Sequence, residues 1–474
     1  MKGVLTLTDL GTSGNVVTAR AGRVSETIVD PVVVIDSRLV RGGEIFIALK
    51  GERTDGHMFI DDVFSKGAAW AMVNREWYAE AGFPEPPEGK GFIVTEDTVE
   101  GLQHLSALFR RTFSIPVVAV GGSNGKTTTK EMVASVLRTG FTVHMSRGNM
   151  NNHLGVPLTL LQLRQDTGIA VIEMGINHPG EMLQLADIAR PTHGLLTNIG
   201  HEHLEFLHDL DGVAEEETSL FRYLFQNGGT IFVNDDDPRL KAAGTGLPGH
   251  IAYGLEDGSG HICSATEITV EPSGMVSFLL CSGTCSEKVS LNFTGKHNVI
   301  NAVAAAAVGT YFGLSLPEIR RGLENLVPLS GWKRLEVIEA DGLKIINDTY
   351  NANSDSMRLA IDTLCDMPCS GKRVAVLADM LELGAAGDVE HETIGRYIQQ
   401  RSLDSLFTFG EKARLYCSEE SLRCRGHFDS REKLLEALVS GLSSGDVVLF
   451  KGSRGMKLEE VVERLVKERE TVTG

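Results

Sequence analysis

Apolar runs of four to six residues alternate along most of this chain with stretches in which apolar positions return every three or four residues. The first pattern belongs to strands buried on both faces and the second to amphipathic helices, so their alternation predicts an α/β architecture with mostly parallel sheets. Runs at 44–49, 68–73 and 91–94 read as strands of a small α/β block, with a Pro/Gly-rich loop over 81–91. Further on, 117–120, 169–172 and 230–233 read as strands, and 128–138 as a helix with Met132, Val133, Val136 and Leu137 on one face. Between 262 and 293 the period falls to two around Pro272-Ser273-Gly274, which predicts an antiparallel appendage. The strand and helix pattern then returns, with strands at 343–346, 374–377, 406–409 and 447–450, as in a Rossmann-like doubly wound domain. Periodicity breaks at 110–116 and 327–331, where Pro, Gly and Ser interrupt it. Three domains are expected, at 1–112, 113–328 and 329–474, since 474 residues exceed what one core supports.

Charge narrows the partners. A formal charge of −18 argues against nucleic acid or an anionic membrane surface, because both require basic surface. No run of about 18 apolar residues occurs, and the first residues lack the charged and apolar regions of a signal peptide. No membrane insertion and a cytoplasmic location are expected. The seven cysteines include Cys281/Cys285 and Cys365/Cys369, whose spacings are not those of common zinc sites. All seven are expected as reduced thiols.

The segment Gly121-Gly122-Ser123-Asn124-Gly125-Lys126-Thr127 lies between the strand run at 117–120 and the helical pattern. Small residues there let backbone N–H groups surround phosphates at a helix N-terminus. Lys126 can reach the β/γ-phosphates and Thr127 can offer its hydroxyl to magnesium. Gly122 through Thr128, with Ser123, Asn124, Gly125, Lys126 and Thr127 between them, are thus the candidate ATP cradle. The pattern is shorter than the full Walker motif, because Val120 stands where that motif has its first Gly. Glu173 closes the run at 169–172 and is the expected Mg2+ anchor, because ligands in open parallel sheets sit at the carboxyl ends of strands. His201 and His203 follow another strand-like run, at 195–196.

Taken together, the short phosphate loop, Glu173 and the histidine segment resemble the Mur ligases, ATP-dependent amide-forming enzymes of peptidoglycan synthesis. The resemblance extends along the chain through Asp36-Ser37-Arg38, Asp55-Gly56-His57, Gly148-Asn149-Met150-Asn151-Asn152, Gly295-Lys296-His297-Asn298, Asn347-Asp348-Thr349-Tyr350-Asn351-Ala352-Asn353, Asp379-Met380-Leu381-Glu382-Leu383-Gly384 and Lys451-Gly452-Ser453-Arg454. These segments look like the branch that adds D-alanyl-D-alanine to UDP-N-acetylmuramoyl-tripeptide. It implies ATP and Mg2+ as cofactors, those two compounds as substrates, and a monomer.

The resemblance also assigns roles. Lys126, Glu173, His203 and Arg334 would form the catalytic set, with Lys126 and Arg334 supplying positive charge where carboxylate and triphosphate meet. Lys333, next to Arg334, is an equal candidate by position. Asn298 would hydrogen-bond adenine and Asp348 would contact ribose. Ser37 and Arg38 would hold the UDP end of the acceptor. Asn149, Asn151 and Asn152 would face its peptide end, and Asn351 and Asn353 the nucleotide or the incoming dipeptide. Thr127, Glu173 and His203 would be metal ligands. One departure stands out: the family usually has a carbamylated Lys four residues before the aromatic of the next helix, and counting back from Phe221 gives Glu217. Glu217 is expected to supply anionic oxygen to the metal directly. Two other readings stay open, an acyl-phosphate ligase of the folylpolyglutamate synthase kind and a non-catalytic ATP-binding sensor.

Overall fold

The computed structural model describes residues 4–6, 16–20, 27–29, 31–255, 260–328, 331–417 and 423–472. Leu329 and Ser330 of the second expected break, and most of the N-terminal residues read for targeting, lie outside them. The fold is α/β. Near the N-terminus a five-stranded sheet runs in the order Val16–Arg20, Gly91–Thr95, Trp70–Asn74, Ile45–Ile47, Val33–Val34, with only the first pair antiparallel. Its three inner strands are buried along their length apart from Asn74, which is why they read as continuous apolar runs. The helix Thr98–Arg111 starts where the Asp97 side chain accepts from the N–H groups of Val99 and Glu100. At its end Arg110, buried, donates to the carbonyls of Phe113, Ala189 and Arg190. The first expected break is therefore pinned to the next block by one guanidinium.

The second sheet has six strands, all parallel, in the order Ile251–Tyr253, Thr230–Asn234, His193–Leu196, Val117–Gly121, Ile169–Glu173, Val143–Met145. Its first strand in the chain, Val117–Gly121, ends up near the centre. The chain leaves it toward one edge and later crosses to the other, so the topological switch point falls at the end of Val117–Gly121. The helix Lys126–Leu137 begins two residues earlier than the periodicity suggests and is buried all round, Thr127, Thr128, Thr129, Lys130 and Ala134 included. It lies between the sheet and the Ala-rich helix His297–Tyr311, which explains the absence of a clean polar face. Strands Ser264–Val270, Met275–Ser282 and Cys285–Thr294 form the expected antiparallel appendage.

The third sheet runs Glu336–Ala340, Leu343–Asp348, Val447–Lys451, Arg373–Ala378, Ser405–Phe409, Cys424–Phe428, parallel except for its first pair. Helices Ser354–Asp366 and Gly387–Gln399 cover one face, and Arg431–Gly441 and Glu459–Val472 the other, the doubly wound arrangement expected. The two edge strands were not anticipated, because half-exposed sequences such as Glu-Val-Ile-Glu-Ala carry no apolar run. Cys417 and Cys424 are paired, with Cα atoms 6.0 Å apart. This corrects the expectation of seven thiols: Cys424 opens an edge strand beside the turn that ends at Cys417, within disulfide reach. Cys263, Cys281, Cys285, Cys365 and Cys369 are free.

Candidate active site

A cleft of about 410 Å³ opens at the switch point, between the second and third sheets. Ser123, Asn124, Gly125, Lys126, Thr127 and Thr128 line it together with Glu173, His203 and Asn298. Asn149, Asn151 and Asn152 enter from the connection after Val143–Met145, and Arg334, Asp348, Asn351 and Asn353 from the third sheet. Gly122, Glu217, Ser37 and Arg38 are not among its lining residues.

The loop's shape follows from its glycines and its neighbours. Gly122 and Gly125 have φ of +104° and +84°, a region that a side chain opposes. Three loop N–H groups already have acceptors: Gly122 donates to Glu217 Oε2, Ser123 to the Asn198 carbonyl and Asn124 to Asn198 Oδ1. The cradle's available donors are thus the first-turn N–H groups of Lys126–Leu137, which no intrahelical carbonyl can satisfy. Lys126 Nζ folds back onto the carbonyls of Gly122 and Ser123 and lies 3.3 Å from Glu202 Oε2. Burial pulls its pKa down, but neighbouring acidic groups, Glu202 foremost, outweigh that and raise it. Lys126 is a cation in the cleft.

Glu173 Oε1 accepts from Thr127 Oγ1 at 3.0 Å and from Asn151 Nδ2 at 2.9 Å. Its Oε2 is buried without a hydrogen-bond partner. A strand-end carboxylate whose one oxygen sits on a hydroxyl of the phosphate cradle and whose other has no hydrogen-bond donor offers the oxygen ligands a hard divalent cation takes, so Thr127 and Glu173 fit magnesium. Among the described residues no three His, Cys, Asp or Glu side chains come together as a ligand set. His203 Nδ1 is 3.2 Å from Glu382 Oε2 of the third sheet's loop, a bond that holds the Glu382 carboxyl below its usual range. His201 pairs with Asp355 Oδ2 through both its N–H and Nδ1, and Asn353 Nδ2 reaches Asn124 Oδ1 at 3.1 Å. The third domain thus rests on the phosphate loop through side chains more than 150 residues away in sequence.

Other candidates take positions that sequence could not assign. Arg334 faces the cleft and stacks on Tyr350, its guanidinium 3.9 Å from the ring centroid. Lys333 points the other way, toward Glu459 and Glu463. Asp348 Oδ2 is held at 2.7 Å by buried Lys451 Nζ, which also donates to the Asn351 carbonyl. The Asn298 amide donates to the Thr294 carbonyl and accepts from Asn301. Asn152 Oδ1 accepts from the N–H groups of Leu154 and Gly155, at the start of the helix Gly155–Leu160. Lining residues missed as site residues include Glu202, Glu382, Lys451 and Arg454. The quoted segments that hold Lys451 and Arg454 carried a signal, whereas Glu202 sat unremarked between two histidines.

Glu217 departs from its expected role. It lies on the buried face of helix Leu210–Gln226 with Val213, Leu220, Phe221 and Leu224, fully inaccessible, behind the loop and not in the cleft. It does not line the cleft beside Thr127 and Glu173, but its Oε1, like Glu173 Oε2, is buried without a hydrogen-bond partner. Burial pushes its carboxyl up to about 8, against the pull of Lys126. In the folded protein it therefore keeps a proton between pH 4.5, the ordinary value, and about 8, while the unfolded chain does not. The native state binds the extra proton in that window, so this group's contribution to stability falls as pH rises through it. Glu217→Gln keeps an acceptor for Gly122 and removes the titration; its melting temperature at pH 8 is expected to exceed the parent's by about 2–4 °C. At pH 5 a differential scanning measurement should find the two nearly equal, and the magnesium dependence of activity should be unchanged.

Comparison with known proteins gives a consistent picture. Family models described as "Mur ligase family, catalytic domain", "Mur ligase middle domain" and "Mur ligase, glutamate ligase domain" match residues 32–110, 120–309 and 333–454. A UDP-N-acetylmuramoyl-tripeptide–D-alanyl-D-alanine ligase of Bacillus subtilis is 38% identical over 448 residues, 92% of this chain and 93% of the relative. The crystal structure of MurF from Acinetobacter baumannii is similar at a TM-score of 0.82 and 33% identity, covering 92% of this chain and 93% of that one. That of the MurF ligase from Thermotoga maritima in complex with ADP also gives 0.82, at 29% identity over 94% and 99%.

Proposed function

We propose a function from the premise that this chain belongs to the Mur ligase family: it is the ATP-dependent ligase that adds D-alanyl-D-alanine to UDP-N-acetylmuramoyl-tripeptide in peptidoglycan precursor synthesis. The observation that carries the reading is the cleft itself, where a phosphate cradle, a buried carboxylate and an asparagine-rich segment face cations from another domain.

A carboxylate resists attack by an amine because oxide is a poor leaving group. Transfer of the γ-phosphoryl of ATP to the tripeptide carboxylate removes that obstacle. The amine of D-alanyl-D-alanine then adds to the acyl phosphate, and the tetrahedral intermediate expels phosphate to leave the amide. Bringing two anions together needs concentrated positive charge in a low-dielectric cleft. In this reading Lys126 turns from the loop carbonyls to the transferring phosphoryl, and Arg334 supplies a second cation from the third domain. Thr127 and Glu173 would hold magnesium, which would neutralise triphosphate charge when bound. His203 is read as a further ligand, oriented through Nδ1 by Glu382. The amides of Asn149 and Asn151 can hold the acceptor's peptide end without competing to be phosphorylated. Asn351, Asn353, Asp348 and Asn298 are read as nucleotide or dipeptide contacts. Contact between the domains around the cleft would exclude water from the acyl phosphate.

Ser37 and Arg38 remain the proposed UDP contacts. They sit on an exposed turn in the first domain, where Arg38 pairs with Asp36 at 2.7 Å. Division at 1–112, 113–328 and 329–474 is supported by the three separate main sheets. A monomer is part of this reading through the family resemblance alone. No helix among the described residues is long and apolar enough to cross a membrane, and a cytoplasmic location is part of this reading.

Phosphate release from ATP, with each of magnesium, UDP-N-acetylmuramoyl-tripeptide and D-alanyl-D-alanine omitted in turn, tests the proposal. Release that requires both substrates, with the pentapeptide product's mass, is expected. Nucleotide binding without substrate-dependent release would favour a sensor instead.

A further inference from the structure

Lys130 lies one turn beyond Lys126 on the same helix, yet its side chain is fully buried and never reaches the cleft. Its ammonium donates to the carbonyls of Ser146 at 2.8 Å and Gly148 at 3.0 Å. It also lies 3.1 Å from Glu131 Oε1 and 3.6 Å from Glu173 Oε2. A buried ammonium is tolerated only when its charge and its three N–H groups find partners. These partners belong to three different parts of the site.

We propose that Lys130 is a positioning residue that fastens the asparagine segment 149–152 to the strand-end carboxylate Glu173, and so sets how tightly the acceptor's peptide end is held. Gly148, whose carbonyl it grips, has φ of +54° and leads directly into Asn149. Ser146, whose carbonyl also accepts from Lys130, accepts through Oγ from the Glu173 N–H at 3.0 Å. Asn151 closes the circuit, its side chain on Glu173 Oε1 and its carbonyl accepting from Gly175 N–H. Glu173 Oε2 has no hydrogen-bond donor, and the Lys130 ammonium 3.6 Å away stands within ion-pair distance of it. One ammonium therefore fixes the start of the segment and balances the carboxylate that ends the neighbouring strand. Lys126 acts on phosphate, whereas Lys130 acts only through other residues.

The inference rests on the reading of 149–152 as the acceptor's contact, and two measurements separate the two claims. Hydrogen exchange of the full-length Lys130→Met protein is expected to quicken about tenfold or more at amides 147–152, with amides 117–121 of the central strand unchanged. Steady-state kinetics of that variant are expected to show a rise of about tenfold in KM for UDP-N-acetylmuramoyl-tripeptide, with KM for ATP altered by less than about threefold. Unchanged exchange, or exchange quickened uniformly through the central sheet, would overturn the positioning role. If Lys130→Met does not fold, Lys130→Gln is measured with the same two outcomes. Asn149→Ala leaving the tripeptide KM unchanged would overturn the reading of the segment but not of Lys130, which the exchange experiment decides alone.

Discussion

Replacing Lys126 with methionine is expected to lower substrate-dependent phosphate release by about a thousandfold, because a single donor aimed at developing charge in a desolvated site contributes at that level or above. The side chain is 14% exposed and lies beside the Glu202 carboxylate, which favours its charged form. Its present partners are two loop carbonyls and Glu202, all of them acceptors that a triphosphate oxygen can replace. Methionine fills the same volume with no charge, so the loop loses its cation without gaining a cavity. ADP affinity, measured by calorimetry, should weaken far less than the rate, since the first-turn N–H groups remain. Equal losses in binding and rate would mean that Lys126 only holds the nucleotide.

Removing Lys451 should produce the largest loss of stability. Its side chain is 2% exposed, and its ammonium holds Asp348 Oδ2 at 2.7 Å and the Asn351 carbonyl at 2.9 Å. Lys451→Met leaves a carboxylate 12% exposed with its countercharge gone. Breaking one side of a buried pair destabilises by about 3–5 kcal/mol. Exposed pairs such as Lys296–Asp366, at 51% and 43% exposure, should contribute no more than about 1 kcal/mol. Urea denaturation of the single and double variants checks this: adding Asp348→Asn to Lys451→Met is expected to recover much of the loss. A double variant no more stable than the single one would show that the ion pair is not the source. Activity should stay low in both, since Asp348 and Asn351 line the cleft.

The order of elements was legible because each inner strand is buried on both faces and leaves an uninterrupted apolar run, as at Val117–Gly121 and Ile169–Glu173. The phosphate loop was legible for a related reason: positive φ at Gly122 and Gly125 requires glycine, and the helix that follows requires the spacing. Glu173 followed from topology, since a carboxylate ending a parallel strand next to the switch point must face the ligand crevice. Edge strands such as Glu336–Ala340 were invisible because half-exposed positions are not selected for apolar residues.

Residue order alone determined the strand and helix alternation, the glycine loop with Lys126 and Thr127, and the strand-end position of Glu173, since each is written within a few consecutive residues. Only the tertiary structure shows that Arg334 and not Lys333 faces the cleft, because the connection before Glu336–Ala340, with Lys333 at φ of +55°, sends the two adjacent side chains in different directions. It alone put Glu217 behind the loop, where the helix's apolar face turns it inward, and turned Lys130 toward Ser146 and Gly148. It alone paired Asp348 with Lys451, 103 residues on, and Asn124 with Asn353, 229 residues on. Contacts at such separations depend on how whole domains pack, and no local pattern of residue types encodes that.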